Sequence, residues 1–180
     1  MASKEMNQFE FTLIFSLTGD SLEPDAYIER LGKVGCDDAL IGVGKSGRIA
    51  LLFNRGAENA LEVVLGAVKD VKRAIPDAKF VEATPDLVGL TDIAEVLGCS
   101  RQNIRKLMLN NRASFPAPIH EGKAALWHLS SVLAWLQREN RYSVDETLVH
   151  IANANMQLNI AKESARLDPS LQAEMILAVA

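Results

Sequence analysis

The chain has 180 residues, 48% hydrophobic and 23% charged, with a formal net charge of -4. That balance is globular and excludes extensive disorder, and a length above the roughly 100 to 150 residues common for one domain favours two small ones. No apolar run nears the roughly 18 residues of a membrane span and MASKEMNQ lacks the apolar core of a secretory signal, so a cytoplasmic protein without membrane attachment is expected.

Cys36 and Cys99 lie far apart, with neither metal-ligand spacing nor a disulfide framework, and read as buried reduced thiols. Charge is uneven along the chain. Residues 1–85 carry net -3, residues 86–138 net +2 and residues 139–180 net -3. An anionic partner would dock on the middle segment, while the acidic flanks oppose a general coating by nucleic acid.

Phe9, Phe11, Leu13, Phe15 and Leu17 alternate with Glu10, Thr12, Ile14 and Ser16, the period-two pattern of a strand with one buried face. Pro24 opens a first helix in which Ala26, Tyr27, Ile28, Leu31 and Val34 recur at helical spacing until Gly35. DALIGVG and RIALLFN then predict two strands joined by a hairpin at Lys45-Ser46-Gly47. From Ala57 to Ala74 the residues Ala60, Leu61, Val64, Leu65, Val68, Val71 and Ile75 form a helical stripe that Pro76 ends, and Lys79 to Ala83 make a fourth strand. The order β-α-β-β-α-β is that of a ferredoxin-like domain over residues 1–85, with both helices on one sheet face. Such a domain would sense a ligand or mediate assembly.

Two functional readings of this segment fail. Gly44-Lys45-Ser46 echoes the end of a phosphate-binding loop, but Ala39 stands where the motif needs glycine and a strand follows in place of a helix. RNA binding by the sheet would need aromatics on its two central strands, and RIALLF is too aliphatic. If Leu51 and Phe53, or Phe9 and Phe11, faced away from the helices, that patch would mark a dimer contact or a ligand pocket.

The middle segment carries TDIAEVLGCSRQNIRKLML, with no acid between Ser100 and Arg112. Thr91 is the expected cap of a short helix with Ile93, Ala94 and Leu97 inward, and Gly98 ends it. Ser100 caps a second helix whose apolar stripe is Ile104, Leu107 and Met108. At about 100° per residue the opposite face holds Gln102 and Lys106, flanked by Arg105 and Arg101. Two helices joined by Gly-Cys-Ser fit a helix-turn-helix, with this face as the groove reader. Arg suits guanine and Gln adenine, while Lys106 and the Ser100 hydroxyl suit phosphate. Arg112 extends the cationic run.

SFPAPIHEGKAALWHLSSVLAWL follows. Pro116 and Pro118 keep it out of helix, and Glu121-Gly122-Lys123 is a turn between Pro118-Ile119-His120 and Ala125-Leu126-Trp127, a two-stranded wing whose Lys123 could touch phosphate. Ser130 or Ser131 starts a helix with Val132, Leu133, Trp135 and Leu136 inward. Trp127 and Trp135 sit within apolar periods and read as core residues, not base-stacking ones. His120 and His128 have no Cys nearby, so no metal or other cofactor is expected.

LVGLTDIAEVLGCSRQNIRKLM, FPAPI and LWHLSSVLAWL together resemble the MerR/AlpA excisionase-like winged helix-turn-helix family over about residues 88–137. The resemblance implies a double-stranded DNA-binding transcriptional regulator with contacts from Ser100, Arg101, Gln102, Arg105 and Lys106, and from Lys123 in the wing. Excisionases of that family are often little more than this module, and its embedding between two further segments favours a regulator over a recombination factor.

In residues 139–180, Val144, Leu148, Ile151, Asn155 and Leu158 follow the spacing of a helix-helix seam, and Asp168-Pro169 opens a last helix with Leu171, Met175, Ile176 and Val179. These helices are the expected homodimer contact, with packing back onto the chain as the alternative. The sequence thus predicts an α+β protein with a ferredoxin-like domain, a winged helix-turn-helix domain over 86–138 and C-terminal helices. An enzyme is not expected, since His150 with Asp145 or Glu146 would need a buried carboxylate beside the imidazole. The competing reading is a protein-interaction or antitoxin-like module that keeps the helix-turn-helix as scaffold. An unidentified ligand or protein partner is left open.

Overall fold

A computed structural model describes residues 6–18, 22–42 and 46–179 of the chain. The fold is mixed α+β, with a four-stranded antiparallel sheet and seven α-helices among the described residues. No helix of the described residues is long and apolar enough to cross a membrane.

The alternation at the start of the chain becomes β1 (Asn7–Ser16), which pairs antiparallel with β3 (Arg48–Ala57) over its whole length. β2 (Ala39–Gly42) pairs with β3 on one side, and β4 (Lys79–Thr84) pairs with β1 on the other, so the order across the sheet is β2-β3-β1-β4. Phe9, Phe11, Leu13 and Phe15 all point inward with Ile49, Leu51 and Phe53, and Phe11 stacks on Phe53 at 5.3 Å. These aromatics are core, so the patch they could have formed on an open face does not exist. The outward face carries Glu10, Thr12, Ile14 and Ser16 beside Ala50, Leu52 and Asn54, with Leu40 71% exposed.

Two helices differ in detail from expectation. The first is a 3-10 turn (Pro24–Tyr27) leading into a short α1 (Ile28–Lys33), and Ile28 is exposed where the periodicity placed it inward. Gly35, at φ +95°, ends the segment as expected. The second, α2 (Ala60–Ala74), starts later because β3 runs on to Ala57 and Asn59 caps the helix by accepting from Leu61 and Glu62 N–H. Its buried face is Ala60, Val63, Val64, Ala67, Val71 and Ala74, whereas Leu61 and Leu65 are exposed. Alanine every seven residues lets the helix axis approach its neighbours closely, and that turns the larger leucines to the rim. Lys45 of the expected hairpin turn lies outside the described residues, as do Val43 and Gly44 before it, and Gly47 is at φ +76°.

Arg55 ties this unit together. Its Nε donates to Asp38 Oδ2 at 2.6 Å and its Nη1 to Asp70 Oδ2 at 2.8 Å, while the guanidinium lies 4.5 Å from the Phe53 ring centre. Both Arg55 and Asp70 are mostly buried, with side chains 14% and 17% exposed. Removing one partner from such a pair strands the other charges, so Arg55→Leu is expected to cost about 3 kcal/mol of stability, measured by urea unfolding. An unchanged midpoint would show the network to be a surface feature. Nearby Cys36 is 2% exposed, and burial pushes its thiol from 9.0 up to about 11. A two-unit rise leaves roughly a hundredfold less thiolate at pH 8 than an unperturbed thiol has. Iodoacetamide at pH 8 is therefore expected to label the half-buried Cys99 and to reach Cys36 only on unfolding. Equal labelling of both in the native protein would contradict this.

The second core forms around aromatic residues. β5 (Leu87–Val88) pairs antiparallel with β6 (Trp127–His128), bracketing α3 (Leu90–Val96) and α4 (Arg101–Asn110), and α5 (Leu129–Arg138) follows directly. Phe115 meets Trp127 edge-on at 6.0 Å and Trp135 at 5.0 Å. Trp127 Nε1 donates to Pro116 O at 3.0 Å, and Trp135 Nε1 to Ser114 Oγ at 3.3 Å. Both indoles are thus core residues with satisfied N–H groups. α5 begins at Leu129, one or two residues before the expected start at Ser130 or Ser131, with the Leu129 N–H donating to Asp86 O, and Val132, Leu133, Trp135 and Leu136 are buried as expected.

In the C-terminal segment the expected seam, from Leu148 on, is the inward face of α6 (Glu146–Ser164), and it packs by the alternative route, onto the chain itself. Capped by Asp145 through Thr147 N–H, α6 places Ile151 and Ala154 in the first core and Ala152 in the second. Asn155, expected to set register between helices, is fully buried and donates to Pro85 O. This helix packs back onto its own chain and joins the two cores. Asn159 extends the same role. Its amide donates to Ala83 O at 2.8 Å and accepts from Ala83 N–H at 2.9 Å, pairing the free edge of β4 as a neighbouring strand would. α7 (Pro169–Val179) follows the Asp168 cap and has no buried residue.

Candidate nucleic-acid interface

α3 and α4 meet through a turn built from local signals. Gly98, at φ +61°, donates to Glu95 O, and Cys99 N–H donates to Ala94 O, the paired bonds of a Schellman end. The cap of α3 is Gly89, not Thr91: its N–H donates to Asp92 Oδ2 at 2.7 Å, so the helix starts earlier than its polar residues suggest. Ser100 does cap α4, its hydroxyl oxygen accepting from Asn103 N–H at 3.2 Å. The hydroxyl proton stays available to an incoming acceptor. Ile104 is fully buried, and Leu107 and Met108 pack beside it against the second core.

With that face inward, Arg101, Gln102, Arg105 and Lys106 are all exposed on the other side of α4. None of the three cations has an ion-pair partner among the described residues. Leu109, 40% exposed, is the one large apolar side chain on that surface. The free amides at the start of α4 add positive potential where Ser100 and Arg101 stand.

Arg112 and Lys123 come from outside the helix. Both are exposed, and both line a cleft of about 790 Å³ with Arg101. One wall is α4, and the other is the arm from Pro116 to Trp127. Asp92 and Glu121 also line it, but Asp92 is occupied by the Gly89 amide. Ser100, Gln102, Arg105 and Lys106 do not belong to the lining. The expected contacts therefore fall into two sets, a cationic helix surface and a cationic cleft beside it, which share Arg101.

The arm is less regular than a two-stranded wing. It is closed by a single bridge between His120 and Leu126, with Ile119 N–H donating to Leu126 O at 2.8 Å and Leu126 N–H to His120 O at 3.0 Å. Trp127 and His128, beyond it, pair with β5 instead. Prolines at 116 and 118 remove two donors from the arm, which limits its ladder. Its position is held from below by the Phe115 and tryptophan contacts.

The sequence missed one constellation. Asp86, 1% exposed, accepts from Asn159 Nδ2 at 2.8 Å and bonds His128 Nδ1 at 2.7 Å. His120, the other histidine of the pair, is exposed, and His150 is exposed as well. Arg141 was also unforeseen: its Nη2 donates to Asn111 Oδ1, while Asn111 Nδ2 donates to Leu107 O and secures the end of α4. Comparison with known proteins finds no matching family model and no matching curated relative.

Proposed function

We propose that this chain is a sequence-specific double-stranded DNA-binding transcriptional regulator, with α4 as the recognition helix of a winged helix-turn-helix of MerR/AlpA excisionase-like type. The observation that carries the reading is the acid-free outer face of α4, where three exposed cations have no ion-pair partner among the described residues and continue into the Arg112 and Lys123 cleft. Unpaired cations beside a helix N-terminus attract phosphate, and a helix protruding from a packed core can enter the major groove. In this reading Arg101, Gln102 and Arg105 read bases. Ser100, Lys106, Arg112 and Lys123 hold backbone.

The antiparallel order β2-β3-β1-β4 supports a ferredoxin-like unit, assigned here to sensing or assembly. The protein acts in the cytoplasm as a homodimer, and with the α6 seam occupied within the chain the contact falls to α7. Leu171, Met175, Ile176, Leu177 and Val179 are 43% to 87% exposed there. That apolar helix also favours the second reading, an interaction module in which the helix-turn-helix is scaffold. No catalytic step is assigned. Selection of the purified chain on a genomic DNA-fragment pool at two salt concentrations separates the readings. A reader enriches a common site and loses affinity steeply with salt, whereas enrichment of nothing at either salt sinks the proposal.

A further inference from the structure

The Asp86 constellation forms the polar floor of a second cleft, of about 630 Å³, whose walls come from β4, β5, the arm and α6. Leu87, Ile119, Ile160 and Leu167 line it, each between 43% and 51% exposed. Four exposed apolar side chains line one cleft with a polar network at its floor, in a volume within the roughly 300 to 1,000 Å³ of small-molecule sites. His128 is the part of that network whose side chain is 18% exposed.

The chemistry of the occupant follows from what surrounds His128. In the tautomer that carries its proton on Nδ1, His128 donates to Asp86 across the 2.7 Å contact and Nε2 is an acceptor. Asn159 holds Asp86 from the other side, so the imidazole is fixed in orientation. Nε2 has no hydrogen-bond partner among the described residues. The lining cation, Lys162, is already engaged, its Nζ bonding Val81 O at 2.8 Å and Glu163 Oε1 at 2.5 Å. Glu163 is further engaged by Arg166. Glu82, which also lines the cleft, disfavours an anionic head.

We propose that this cleft binds a small molecule with an apolar body and one hydrogen-bond-donating head, a phenol or a primary amine, whose donor meets His128 Nε2. An occupant there would touch β4, the arm and α6 at once. The site stands independently of DNA binding, since none of its lining residues is on α4.

Ligand-observed NMR on the full chain, without DNA, tests this with 2-naphthol, 2-phenylethylamine and 2-naphthoate. At least one of the two donors is expected to bind below roughly millimolar concentration, and 2-naphthoate about tenfold or more weakly, because the acid brings an acceptor to an acceptor. Ile160→Trp fills the cleft from an exposed position and should abolish donor binding, with circular dichroism unchanged. Leu167→Trp is the second variant if the first misfolds. Binding of neither donor, equal binding of the acid, or binding that survives both variants overturns the proposal. A variant that splits a dimer while no probe binds overturns it too, assigning the cleft to a second copy. Because DNA is absent from the assay, failure here leaves the regulator reading standing.

Discussion

Arg101→Ala/Arg105→Ala is expected to lower affinity for the selected DNA site by about a hundredfold or more. One bidentate arginine-guanine pair contributes about 1–3 kcal/mol of discrimination, so losing two removes about 2–6 kcal/mol, a range whose greater part lies above the roughly 2.7 kcal/mol of a hundredfold change. Both side chains are exposed and unpaired, so the folded state loses no contact and the thermal midpoint should stay unchanged. The comparison with Lys106→Ala is informative. That variant should weaken all DNA sequences alike and reduce the salt slope by about one, whereas Gln102→Ala should relax the sequence preference. Fluorescence anisotropy against matched and scrambled duplexes at several salt concentrations gives all of these. If the double variant binds as tightly as the parent, α4 is not the reading helix.

An effect on stability as large as that of Arg55→Leu is expected from Asp86→Ala, about 3 kcal/mol. Asp86 is the acceptor for His128 Nδ1 and Asn159 Nδ2, and its backbone oxygen accepts from Leu129 N–H at 2.7 Å. Truncation leaves two buried or half-buried donors unsatisfied, each costing about 1–3 kcal/mol, and opens a void beside them. For a chain of this size such a loss lowers the melting temperature by about 6–12 °C. Asn159 also pairs the edge of β4, and α6 contributes to both cores, so loosening this point should weaken the two units together. Differential scanning calorimetry is therefore expected to show one transition, shifted as a whole. A separate early transition for either core would show that α6 does not couple them.

Much of this structure is legible one segment at a time. The alternation at Phe9 to Phe15 specifies β1 and its inner face because a strand turns successive side chains to opposite sides. Gly98 and Ser100 specify the end of one helix and the start of the next, since a positive φ and a side-chain cap are properties of single residues and their near neighbours. The same is true of the cationic face of α4, which follows from a helical period and the position of Ile104. The tryptophans read as core for the same reason. Misplacements within this class are small: Gly89 displaced Thr91 as cap because Asp92 offered its carboxylate to the earlier amide.

What only the tertiary structure decided are relations across many residues. Leu61 and Leu65 look as inward as Val64 along the α2 sequence, and the choice of stripe came from what packs against the helix. The seam spacing of α6 suits a partner helix or its own chain equally well, and the outcome turned on two cores with faces left to cover. Asp86, His128 and Asn159 lie 31 to 73 positions apart, with no local pattern that marks them as one network. Local propensity and period carry information over about one turn or one strand pair. Which distant donor finds which buried acceptor depends on burial itself, because only in a dry interior does an unpaired polar group cost enough to dictate its partner.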